Sequence, residues 1–105
     1  MSFRVAFSQT AKDDLGRLYD HLLERAEYLE DLDLAERAVE AILNAATALA
    51  STPFLFRKVA GPGRALRREL VVPFGAAGYV LQYEIAGPEL VVVLAVRHQR
   101  EEDRH

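Results

Sequence analysis

The chain has no cysteine in its 105 residues. Disulfides and thiolate metal sites are therefore excluded, and an unstapled core must hold whatever fold forms. Its longest uninterrupted apolar run, residues 90–96, has seven members, far short of the roughly 18 that a membrane span requires. The opening MSFRVAFSQT alternates and is too short and too polar for a secretory leader, which predicts a soluble cytoplasmic protein without membrane contact. Internal repeats, low-complexity stretches and linkers are also missing, so one domain over residues 1–105 is expected. The overall basic charge that marks a phosphate-driven nucleic-acid binder is lacking too: the formal net charge is −3.

The composition that remains is ordinary for a globular domain, 50% hydrophobic and 28% charged. The charge is unevenly spread. Residues 1–52 carry five Lys/Arg against ten Asp/Glu, and residues 53–105 carry eight against six. Five cations with no acid (Arg57, Lys58, Arg64, Arg67, Arg68) fall within residues 57–68. They suit an anionic partner, or equally a solvated loop, since no phosphate-loop signature accompanies them.

Periodicity sets out the elements in order. Phe3, Val5 and Phe7 alternate with Arg4 in a short first strand. Ser8 stands at an N-cap position, and Ala11, Leu15, Leu18, Tyr19, Leu22, Leu23 and Ala26 recur at helical spacing, with Asp13 and Asp14 early enough to favour the helix dipole. Residues 30–33 read as a turn, with Asp33 and Glu36 as the capping box of a second helix. Along that helix Ala35, Ala38, Val39, Ile42, Ala45, Ala46, Leu49 and Ala50 form a small-residue face, which implies close antiparallel approach to the first helix, until Pro53 stops it. Two alternating strands follow, at residues 66–72 and 79–85. After Gly87-Pro88 comes the seven-residue apolar strand, which reads as covered on both faces. The order βααβββ is α+β: a helical hairpin packed on a twisted antiparallel sheet.

The last strand runs into Arg97, His98 and Arg100. The imidazole of His98 could serve as general acid or base, with Arg68 and Arg100 stabilising phosphorane charge, if Arg68 lies across the sheet from them. The alternative readings are contact with a partner without catalysis, and plain surface. A metal reading of His98, Glu101, Glu102, Asp103 and His105 lacks a rigid ligand spacing. His21 reads as a helix-flank residue.

The element order, together with Leu66-Arg67-Arg68-Glu69-Leu70, Pro73-Phe74-Gly75, Gly78-Tyr79-Val80-Leu81-Gln82-Tyr83 and Val93-Leu94-Ala95-Val96-Arg97-His98-Gln99-Arg100-Glu101, resembles the RelE/ParE superfamily of toxins from type II toxin–antitoxin modules. The resemblance covers nearly the whole chain. It implies a RelE-like fold, no metal or organic cofactor, and a cognate antitoxin whose extended segment wraps the toxin in a hetero-oligomer. It also implies one of two actions: binding inhibition of DNA gyrase, as in ParE-like members, or ribosome-dependent cleavage of mRNA, as in RelE-like ones. An inactive interaction module is a third reading. The acidic net charge, Val80 where RelE-like toxins often carry arginine, and the lack of a tyrosine after His98 favour the ParE side. On that reading Arg68, Arg97, His98 and Arg100 contact the target. Tyr19, Leu22, Leu70 and Tyr83 line a groove between hairpin and sheet that seats the antitoxin. The nuclease alternative would use Arg68, His98 and Arg100.

Overall fold

The computed structural model describes residues 2–59, 66–75 and 77–99. Strand β1 (Arg4–Phe7) leads into helices α1 (Gln9–Glu24) and α2 (Leu29–Thr47), the second extended by a 3-10 turn at Ala48–Ala50. Strands β2 (Arg57–Lys58), β3 (Arg67–Phe74), β4 (Ala77–Ile85) and β5 (Leu90–His98) complete the described elements. They form one sheet in the order β1-β5-β4-β3-β2. The α+β reading holds, with two refinements. The first strand joins the sheet parallel to β5, so the sheet is mixed, and a two-residue strand pairs with β3 at the other edge. A parallel partner needs a crossover. The chain between β1 and β5 supplies it: the helical hairpin carries the chain to the β2 edge, and β3 and β4 bring it back beside β1.

Both helices lie on one face of the sheet. Residues of α2 (Ala35, Ala38, Ile42) and Leu49 of the 3-10 turn are wholly buried with Leu81, Tyr83, Val91 and Val93 beneath them. Leu15, Leu18 and Leu22 of α1 pack against the same cluster. The small residues on α2 act as expected, since alanine lets the helix approach its neighbours closely without filling the space with side chain. The apolar strand β5 is less symmetric than its composition suggests: Val91 and Val93 are fully buried, whereas Leu90, Val92 and Leu94 are half-buried. The register shifts at Gln82/Tyr83, where Tyr83 pairs with Val93 and Gln82 with Ala95. Leu94 is the extra residue of a bulge that re-aims the rest of β5.

The inter-helix turn comes earlier than the sequence pattern placed it. Helix α1 ends at Glu24 and α2 already begins at Leu29, so Asp33 does not cap it. Asp31 does that work instead: its Oδ2 accepts from the Glu27 and Tyr28 N–H groups at 3.1 and 3.2 Å. The carboxylate three residues past Tyr28 is the one that reaches the unpaired amides of the turn. Asp13 and Asp14 likewise fall beyond the first turn of α1; Asp13 accepts from Gln9 at 2.9 Å. Gly75 turns β3 into β4 with φ +61°, and Gly78 is required by space, since a Cβ there would sit 2.4 Å from the Val72 carbonyl oxygen.

Candidate functional site

Two ends of the sheet carry the residues that the sequence singled out. At the upper end β5 finishes, and at the lower end β3 begins and β4 finishes.

The upper end is built by the change of partner along the outer edge of β5. Strand β1 pairs with β5 only as far as Phe7 opposite Val93. Beyond that point the chain turns into α1, and its first residues take over the hydrogen bonding. The Ser8 N–H donates to the Val93 carbonyl at 2.9 Å and its Oγ donates to the Leu94 carbonyl at 3.1 Å, while the same Oγ accepts from the Ala11 N–H as N-cap. Asp14 Oδ2 then accepts from the Val96 N–H at 2.9 Å, and Arg17 pairs with the same carboxylate. A strand N–H that would otherwise face the cleft unpaired is thereby satisfied by a charge-assisted bond.

Past this clasp α1 and the ends of β4 and β5 diverge, leaving an open cleft of about 620 Å³. Asp14, Arg17, His21 and Glu24 line one wall, spaced along a single helical face; Tyr79, Arg97 and His98 line the other. His98 is opposite Tyr79 in the register and meets its ring edge-on, with centroids 5.6 Å apart at 89°. Burial pushes the Tyr79 phenol above its usual range. The cleft therefore presents both signs of charge around one aromatic pair, an arrangement suited to holding polar side chains of a partner.

The lower end uses Arg68 in another way. Its Nη1 donates to the Phe54 and Phe56 carbonyls at 3.0 and 2.7 Å, and its guanidinium lies over the Phe54 ring, 5.5 Å from the centroid. Nε is buried and finds no partner among the described residues. Arg68 pairs with Tyr83, and His98 pairs with Tyr79 two strands from β3. The two are thus about 13 Å apart along the strands and about 10 Å across them. The expectation that Arg68 faces His98 across the sheet is corrected: the register sets them at opposite ends. Arg100, third member of that set, lies outside the described residues, as do Arg64 and the acids and histidine of residues 101–105.

The expected antitoxin groove is also corrected in part. Tyr83 is completely buried, its hydroxyl donating to the Pro53 carbonyl at 2.5 Å, and Leu70 is 8% exposed. Packed helices cover both, so neither offers a surface to a partner. Burial pushes the Tyr83 phenol up to about 12, against a smaller opposite pull from the Arg68 charge. Tyr19 and Leu22 remain half-exposed on α1. Sequence reasoning missed Asp14, Arg17 and Glu24. The signal was present, because they share the helical face of His21, but only the fold shows which element that face meets.

A helical hairpin on a mixed sheet, with a cationic strand end beside an open cleft, defines the toxin fold of the RelE/ParE superfamily. The comparisons with known proteins agree. Residues 5–103 match the family model described as the ParE toxin of the type II toxin–antitoxin system, parDE. The chain is 39% identical over 97 residues to Toxin RelE3 of Caulobacter vibrioides, covering 92% of this chain and 95% of that protein. Its fold is similar to a solved chain of the chromosomal ParDE TA system from P. aeruginosa, with a TM-score of 0.72 at 19% identity, over 92% of this chain and 96% of that one. The chain belongs to the ParE toxin family of type II toxin–antitoxin systems. Its partner is accordingly an antitoxin.

Proposed function

We propose that this toxin, one domain over residues 1–105, stops growth in the cytoplasm by binding DNA gyrase, using the rim formed by Arg97 and His98 beside the α1 cleft. The observation that carries this reading is the separation of Arg68 from His98. General acid–base cleavage of RNA needs a proton-transfer group and a charge-stabilising cation within hydrogen-bond reach of the same phosphate. Arg68, one of the two candidate cations, is instead committed to two backbone carbonyls roughly 16 Å away by strand geometry. Inhibition by binding asks only for an accessible charged rim, and the open cleft beside Arg97 and His98 supports that reading. The family match supports the same side of the superfamily.

The test is expression of the toxin alone, paired with purified gyrase. Filamentation with DNA-damage signalling, and loss of supercoiling activity on adding the toxin, are expected. Rapid translation arrest with cleaved messages, abolished by changing His98 to Ala, would instead establish the nuclease reading.

A further inference from the structure

Of the large apolar side chains that stay exposed, three gather at the lower end: Phe54 is 57% exposed, Leu55 72% and Leu66 53%. Leu66 precedes β3 on the same alternation as Arg68, and its carbonyl accepts from Ile85 N–H, which sets it beside the Arg68–Phe54 stack. The segment bearing Phe54 and Leu55 is held rather than left loose. The Arg68 guanidinium and the Tyr83 hydroxyl reach its carbonyls from below. Pro53 is fully buried, the Leu55 N–H donates to Thr52, and Phe54 meets Phe3 edge-on at 6.2 Å. A rigid backbone with outward-facing aromatic and aliphatic side chains loses little conformational freedom on binding. On the sheet face that bears Leu66 and Arg68, Lys58 stands opposite Arg68 on one side and Tyr83 on the other. The carboxylates of Glu69 and Glu84 pair with Arg57 and Arg67 on the opposite face, which leaves a local positive excess beside the apolar side chains.

From this we infer that the lower end is an antitoxin-docking surface, and that its occupant is an antitoxin segment carrying apolar residues flanked by Asp or Glu. The inference rests on the toxin–antitoxin reading and replaces the buried Leu70 and Tyr83 with an accessible contact set. Phe54, Leu55 and Leu66 act as apolar anchors, and the surrounding cations fix orientation by charge complementarity. Arg68 is a positioning residue that holds the anchors in place.

The experiment uses the full chain and the antitoxin encoded by the gene beside its own, with affinity measured by titration calorimetry at two salt concentrations. Leu55→Asp and Leu66→Asp replace exposed side chains, and urea unfolding shows whether each variant remains folded. The expected result is at least a 10-fold loss of affinity in each, with a smaller loss for Lys58→Glu that shrinks at high salt. Growth arrest by the variants expressed alone stays at the wild-type level. Wild-type affinity in both Asp variants overturns the surface assignment. Failure of the unmodified toxin to bind the antitoxin overturns the toxin–antitoxin reading beneath it. If the toxin alone is a dimer that Leu55→Asp dissociates, the surface belongs to a second copy and the proposal falls. Should both Asp variants unfold, Lys58→Glu decides on the same criterion.

Discussion

At the lower end of the sheet, Arg68 and Tyr83 reach three backbone carbonyls of one crossing segment. At the upper end, Arg97, His98 and Tyr79 face α1 across an open cleft. Both ends are built from residues of the same sequence signature, yet they do different work. The signature residues of β3 and β4 hold the fold: Arg68 and Tyr83 latch the segment, and Gly78 makes room for the Val72 carbonyl. The signature residues at the end of β5 stand where two elements diverge. The sequence signature thus joins residues that hold the fold with residues that line an open cleft, and neither residue type nor spacing tells them apart. Of the residues grouped as a nuclease set, the register moves Arg68 away from His98.

The contrast predicts that substitutions of the latch residues Arg68 and Tyr83 act on stability, and that substitution of His98 at the upper rim acts on target binding. The largest stability effect is expected for Arg68→Ala, which removes two hydrogen bonds from a charged donor and costs about 2–3 kcal/mol in urea unfolding. A loss under about 0.5 kcal/mol would show that the latch contributes nothing. Next is Tyr83→Phe, which leaves the Pro53 carbonyl unpaired in the core and costs about 1–2 kcal/mol by the same measurement.

The Tyr83 substitution also has a signature in pH. The folded phenol titrates at about 12, above its ordinary value of 10.0. Its stabilising contribution is therefore complete below pH 10 and lost as pH rises toward 12. Stability of the wild type should fall across that window, and Tyr83→Phe should flatten the fall. Tyr79, shifted the same way by burial, should leave a residual slope.

At the upper end Ser8→Ala removes both the N-cap and the bond to Leu94, costing about 1 kcal/mol. Asp14→Ala leaves the Val96 N–H without its acceptor and costs a similar ~1–2 kcal/mol, whereas Asp14→Asn, which keeps an amide oxygen there, recovers part of it. His98→Ala removes, among its contacts, the edge-on ring contact with Tyr79, worth about 0.5–1.5 kcal/mol. The toxicity and gyrase inhibition of this variant should drop. A variant that unfolds easily but keeps its full effect on gyrase would erase the distinction between the two ends.

Much of the fold was legible because periodicity is local. The alternation in residues 66–72 and 79–85, the helical stripes and the Ser8 cap each depend on neighbours a few positions away. The α1–α2 turn was misplaced for a related reason: Asp31 and Asp33 are chemically the same, and which one caps α2 depends on where the backbone of residues 27 and 28 turns. At the site, His98 and Arg97 were legible as a polar ending to an apolar strand. Asp14 was not, since its partner Val96 is a backbone amide 82 positions away.

What the sequence determined by itself was the inventory: one cysteine-free α+β chain, two amphipathic helices, strands of the right alternation, and an order of motifs specific enough for a toxin superfamily. Tertiary structure alone decided which of these residues meet. Side-chain chemistry is carried by single positions, but proximity across a sheet is set by register. The antiparallel registers of β3 on β4 and of β4 on β5, which no local pattern writes, put Arg68 at one end of the sheet and His98 at the other.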